Sequence, residues 1–179
     1  MTRWFGVDPD LLSLQEHRTR NLGRACAGSE RLPFASETFD IVISSWVLEH
    51  LPRPATTFAE IARVMRPSGR FFFLTPNAAH PLPGLSAAIG SLHKLQQRAV
   101  SRFYGRGSAD TFPVAYRANT IEAISRLGAR AGLQPVEITW VDDPSYFAWN
   151  RITFILAVVA ELLLPSTRRV HLVGHLQKC

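Results

Sequence analysis

The stretch from Glu30 to Asn77, ERLPFASETFDIVISSWVLEHLPRPATTFAEIARVMRPSGRFFFLTPN, leaves little freedom of architecture. Phe39 to Ser44 (FDIVIS) is a short apolar run with β-branched Ile41, Val42 and Ile43 at its centre, and it reads as a strand. Pro52 and Pro54 then interrupt the chain, and Pro54 suits the first turn of a helix. Phe58, Ile61, Ala62 and Met65 follow at helical spacing and make one apolar stripe. Arg66-Pro67-Ser68-Gly69 stops that helix. Arg70 to Thr75 (RFFFLT) is a second continuous apolar strand, closed by Pro76-Asn77. Strand, helix and strand with a short return predict a βαβ crossover, whose strands run parallel and are covered on both faces.

Ligands of open α/β sheets bind outside the carboxyl ends of the strands. The first strand ends in Ser44-Ser45-Trp46-Val47-Leu48-Glu49-His50. LPFxxxxFDIVIS, then VLEHL, then RVMRPSGR, then FLTPN together resemble the core of class I S-adenosylmethionine-dependent methyltransferases. The closest pattern is the broad group that runs LPF, FD-V-S, EHL, RVLKPGG, TPN. The ordered set spans nearly fifty residues, which makes it specific where any one tripeptide is not. The resemblance implies a Rossmann-like α/β domain. Its sheet is mostly parallel with helices on both faces, and an antiparallel strand pair closes it at the C-terminus.

Several site residues follow from that resemblance. Trp4 to Val7 is a short apolar strand ending in Asp8-Pro9-Asp10, and Asp8 stands where the family's GVDP-type motif holds both ribose hydroxyls. Asp10 is the lesser candidate and can instead cap the helix that begins near Leu11. The turn Gly28, Ser29, Glu30 is the expected adenine contact, although Gly28 replaces the family's usual acidic anchor. Ser44, Ser45, Trp46 and Val47 are placed beside the methionine end of the cofactor. His50 is the candidate general base, because a histidine beside a methyl donor can take the acceptor's proton near neutral pH. Some ubiquinone-type O-methyltransferases carry an ExxEH metal cluster here; its first carboxylate falls on Trp46, so no metal is expected. The family also places a strand and a GxGxG loop ahead of the Asp8 strand. Met1 lies three residues before Trp4, so an N-terminally truncated domain is expected.

Composition sets outer bounds. A chain of 179 residues with 46% apolar and 19% charged content can bury one core and is not disordered. Cys26 and Cys179 are far apart and have no metal spacing, which fits a reduced cytoplasmic setting. A net charge of +6 invites a nucleic-acid reading, but the basic residues are mostly arginines spread along the chain without runs or aromatic interleaving. A nucleic-acid partner is therefore not expected. A nicotinamide oxidoreductase would show GxGxxG after a first strand, and none is present. Asp40 begins its strand, away from the ligand end, and reads as structural.

The remaining chain reads as follows. Leu11 to Arg24 is weakly helical. Residues 78–118 form an insertion in the position of a substrate lid, with a helix over 85–104 and a pocket-lining segment over 110–120. Asn119 or Thr120 caps a helix carrying Ile121, Ile124, Leu127 and Ala131 on one face, ended by Gly132. Val136 to Val141 and Val170 to Gln177 are strands that pair antiparallel. His171 and His175 share a face and read as structural. Residues 146–164 (YFAWNRITFILAVVAELLL) are the most apolar segment; a buried or dimer-forming helix and an interfacial membrane helix both fit it. One domain, 1–179, is expected, with a cofactor-binding core over 1–77, the lid over 78–118 and helices and strands over 119–179. Its expected activity is methyl transfer from S-adenosylmethionine to a small-molecule, sugar or lipid acceptor. The alternative is an inactive methyltransferase remnant that works as a binding module.

Overall fold

A computed structural model describes residues 3–19, 21–81, 114–147 and 150–179. In chain order the elements are β1 (Phe5–Asp8), α1 (Leu11–Glu16), β2 (Gly23–Cys26), β3 (Phe39–Ser45), a 3-10 turn (Leu48–His50), α2 (Pro54–Val64) and β4 (Met65–Pro76). They continue with α3 (Ile121–Arg130), β5 (Leu133–Val141), α4 (Arg151–Leu163) and β6 (His171–Lys178). The strands form two sheets: β1 pairs with β2, and the second sheet runs β3-β4-β6-β5. β1–β2 and β3–β4 are parallel, as the crossover pattern requires. β6 lies antiparallel between β4 and β5.

The core sits where α2 and α3 cover the larger sheet. Phe58, Met65, Phe71, Ile124, Leu133, Leu172 and Leu176 have essentially no exposed surface. Phe58 meets Phe71 edge to face with ring centroids 5.8 Å apart. The expected stripe of α2 is the buried one, Phe58, Ile61 and Ala62. On α3, Thr120 caps by accepting from the Ala123 amide at 3.1 Å, and Gly132 at φ 76° turns the chain out after it.

Contacts at both ends tie the small sheet to the large one. At the start of the strands, Phe5 and Phe39 rings lie 5.9 Å apart, and Phe34 packs against both, at 5.5 and 4.8 Å. Beyond the far end of β2, the Ser29 and Thr57 hydroxyls share a hydrogen bond of 3.1 Å, and Glu30 pairs with Arg53, so this turn rests on the start of α2. Start meeting start and end meeting end means that β1 and β3 point the same way. The LPF loop between the sheets is clamped by one ion pair. Glu60 accepts from the Leu32 amide at 2.8 Å, while Arg63 bonds Glu60 and the carbonyls of Leu32 and Phe34. Arg63 holds the Glu60 carboxyl below the usual carboxylate range.

The structure departs from the sequence reading in four places. The helix from Leu11 stops at Glu16, and Gly23–Cys26 forms a strand, because backbone pairing to β1 outweighs a weak helical preference. The helix before β4 ends at Val64, and Arg66 to Gly69 are carried inside the strand as a bulge. Phe39 pairs with Met65 and Ile41 with Arg70, leaving four residues looped out. Ser68 there has φ 63°, and a Cβ on Gly69 would stand 2.9 Å from the Arg66 carbonyl oxygen. β3 is not covered on both faces: Ile41 and Ile43 are 47% and 60% exposed. Helix α4 starts at Arg151, capped by Asn150, and is not a buried helix, since only Ala157 on it is buried. The helix expected over 85–104 and residues 110–113 lie outside the described residues.

Gly174, midway along β6, marks the tightest strand approach. A Cβ there would stand 2.5 Å from the Glu137 carbonyl oxygen and 2.9 Å from Ile138 Cα, both backbone atoms that cannot swing aside. Gly174→Ala is expected to lower stability by about 1–3 kcal/mol, read as a drop in the urea midpoint with an unchanged slope.

Candidate active site at the strand carboxyl ends

Asp8 closes β1, partly buried, and one of its oxygens accepts from the Asp10 amide at 2.8 Å. A carboxylate has about four acceptor positions, so capacity remains for hydroxyl donors. Asp10 is the helix cap, accepting from the Leu12 and Ser13 amides. In the Gly28–Glu30 turn, Gly28 has open space where a Cβ would be, while Ser29 and Glu30 are held by Thr57 and Arg53.

At the end of β3, Ser44 Oγ is buried and lacks a hydrogen-bond partner among the described residues. A buried hydroxyl without a partner is uncommon and marks a place where a polar ligand or water fits. Ser45 pairs with Leu74 on β4. Trp46 then turns into the left-handed region at φ 58°, while its amide still bonds the Leu74 carbonyl at 3.0 Å. For a bulky side chain this conformation costs on the order of 1–3 kcal/mol. It leaves the indole 41% exposed, edge-on to the His171 ring at 4.8 Å. Val47 is similarly exposed.

The turn Leu48–His50 carries the ionisable groups. Glu49 is only 4% exposed, and burial pushes its carboxyl above the ordinary range. It accepts from Thr75 Oγ1 at 3.1 Å; Asn119 Nδ2 in turn donates to Thr75 Oγ1 at 2.7 Å and to the Pro76 carbonyl at 3.1 Å. The Glu49 backbone carbonyl receives the amides of Ala115 and Tyr116. His50 Nε2 lies 3.9 Å from Glu49 Oε1. Burial and the Glu49 charge raise the Tyr116 phenol pKa. Beyond β4, Asn77 is an anchor: it donates to the Thr167 and Arg169 carbonyls at 3.0 and 2.8 Å. Next to it, His80 stands 3.5 Å from Glu161 of α4. Burial pushes the His80 and His171 pKa values down and that of Glu161 up, so these groups favour their neutral forms.

The sequence reading singled out Ser44 to Val47 and His50 as candidates and did not see the polar row of Glu49, Thr75 and Asn119 behind them. Asn119 had been a cap candidate and Thr75 part of TPN, while Glu161 had one available signal, a lone carboxylate in an apolar run. Among the described residues no cluster of three metal-ligating side chains occurs. A hollow of about 390 Å³ lined by Ser68, Gln134, Pro135 and Gln177 lies at the other end of β4, away from these groups.

Glu49 gives a pH signature. Its folded pKa lies above the ordinary value of 4.5, so the folded chain binds more protons than the unfolded one between the two values, and stability falls as pH rises through that window. Glu49→Gln is expected to remove part of that fall, read as converging urea midpoints of the two proteins below pH 4.5 and a widening gap above it. Asn119→Ala, which strips Thr75 and the Pro76 carbonyl of a donor, is expected to cost about 1–3 kcal/mol at every pH.

Comparison with known proteins adds identity to this geometry. Residues 2–73 match the methyltransferase domain family model. An uncharacterized methyltransferase of Mycobacterium marinum is 34% identical over 112 residues, covering 58% of this chain and 42% of that protein. The malonyl-[acyl-carrier protein] O-methyltransferase of Herminiimonas arsenicoxydans is 30% identical over 108 residues, covering 56% of this chain and 40% of its own length. The chain thus spans about two fifths of the length of these curated relatives. In structure, an S-adenosylmethionine-dependent methyltransferase from Mesorhizobium loti aligns with a TM-score of 0.61 at 14% identity, over 98% of this chain and 80% of that one. A second, from Methanosarcina mazei, aligns with a TM-score of 0.57 at 12% identity, over 97% and 81%. Residues 2–73 match the methyltransferase domain family, and the fold built around them resembles that of S-adenosylmethionine-dependent methyltransferases of known structure.

Proposed function

We propose that the chain acts in methyl transfer from S-adenosylmethionine to a small-molecule, sugar or lipid acceptor. The observation that carries this reading is the position of the candidate groups: within the family-matched region, Asp8, the Gly28–Glu30 turn and Ser44–Val47 all lie at or just beyond the carboxyl ends of strands that point the same way. The cofactor supplies a sulfonium-activated methyl group. Asp8 holds the ribose hydroxyls through its spare acceptor positions, and the open backbone at Gly28 leaves room for adenine. The buried Ser44 hydroxyl, without a partner among the described residues, and the turned-out Trp46 face the methionine end. Positioning of the acceptor in line with the methyl group provides much of the acceleration. His50, with Glu49 at its side, takes the acceptor's proton. Trp46 and neutral His171 and His80 favour an uncharged acceptor over a charged one.

A second reading is a methyltransferase-like binding module. It is favoured by the exposed Ile41 and Ile43 on β3, which among the described residues pairs only with β4.

Calorimetric titration with S-adenosylmethionine separates the two. Binding is expected in wild type, weakened tenfold or more by Asp8→Ala. His50→Ala is expected to keep binding but to slow methyl transfer about 100-fold or more, measured with methyl-labelled cofactor across hydroxyl-bearing small molecules, sugars and lipids. Absence of heat at millimolar cofactor would favour the binding module.

A further inference from the structure

Helix α4 is amphipathic in the reverse sense. Thr153, Ala157 and Glu161 point inward, with Glu161 paired to His80. The outward side carries Ile152, Ile155, Leu156, Val159, Leu162 and Leu163, from 48% to 80% exposed. No charged or polar side chain interrupts that face. Ile152, Leu156, Val159 and Leu163 recur at intervals of four, three and four residues, the seam that packs one helix against another. Six large aliphatic side chains this exposed offer apolar surface on the order of several hundred Å², the scale of the share each partner contributes to a standard interface of about 1,600 Å².

We propose that α4 docks against the α4 of a second copy of this chain, forming an isologous dimer. A single apolar patch that must be covered on every copy is satisfied most simply by itself across a twofold axis. A lipid surface fits less well. Interfacial helices set lysine and arginine along their polar side, whereas the polar side of α4 holds Glu161 and the helix has one cation, Arg151, at its first turn. None of the helices among the described residues is long and apolar enough to cross a membrane. The inference goes beyond methyl transfer and does not depend on it.

Sedimentation equilibrium of the full chain tests it. Wild type is expected at twice 20.0 kDa at tens of micromolar. Leu156→Glu/Leu163→Glu is expected to weaken self-association at least tenfold while far-UV circular dichroism is unchanged. Should that variant lose its helical signal, Leu162→Gln, at a side chain that is 79% exposed, is read instead and shifts the equilibrium in the same direction. A wild type that stays monomeric at 100 µM overturns the proposal, and so does a variant that dimerises as tightly as wild type. Binding of a monomeric wild type to phosphatidylglycerol-phosphatidylcholine vesicles, lost in the variant, assigns the face to lipid instead.

Discussion

Strand β4 is the member on which the rest of the molecule depends, because it is paired along both edges from Arg70 to Leu74 and has no exposed residue from Phe71 to Pro76. It gives β3 a parallel partner and β6 an antiparallel one, and its alternate residues Phe71 and Phe73 enter the core under α2 and α3. A strand fixed on two sides cannot slip register without turning its buried set outward. Its carboxyl end is therefore a rigid reference, and Thr75, Pro76 and Asn77 there organise what surrounds them. Thr75 receives Asn119 and reaches Glu49; the Asn77 side chain collects carbonyls from the segment that leads into β6.

That arrangement explains why the candidate site is half polar and half hidden. Glu49 lies next to His50 in sequence, yet its side chain goes into the protein and His50 stays partly exposed. The buried carboxyl costs solvation, and the Thr75–Asn119 pair returns part of it as hydrogen bonds. One turn thus couples a partly exposed imidazole to the folded core. Trp46 achieves its position by another route, a left-handed backbone that throws the indole out of the strand line and onto His171.

Much of this was legible in the sequence, for identifiable reasons. The apolar runs around Val42 and Phe72 and the stripe Phe58-Ile61-Ala62 are periodic signals that burial enforces, so β3, α2 and β4 were found with only their limits displaced. Thr120 and Gly132 announced the two ends of α3 through capping chemistry. Gly23–Cys26 was not legible, because a four-residue strand is made by its neighbour and not by its own residues. Nor was the bulge at Arg66–Gly69, where the turn residues kept their local shape but were incorporated into a strand. The polar row joining Glu49, Thr75 and Asn119 spans 70 positions and exists only once the chain has closed. The inward Glu161 was hidden for the opposite reason: an apolar segment is read as facing inward, and this helix faces outward.

The outer edge of β3 has its own implication for handling the chain. Its amides and carbonyls opposite β4 face away from any partner among the described residues, with Ile41 and Ile43 standing beside them. Such an edge recruits extended polypeptide indiscriminately. Concentrated solutions of the chain therefore carry a built-in route to sheet-edge association that a single charged side chain at Ile41 or Ile43 would obstruct.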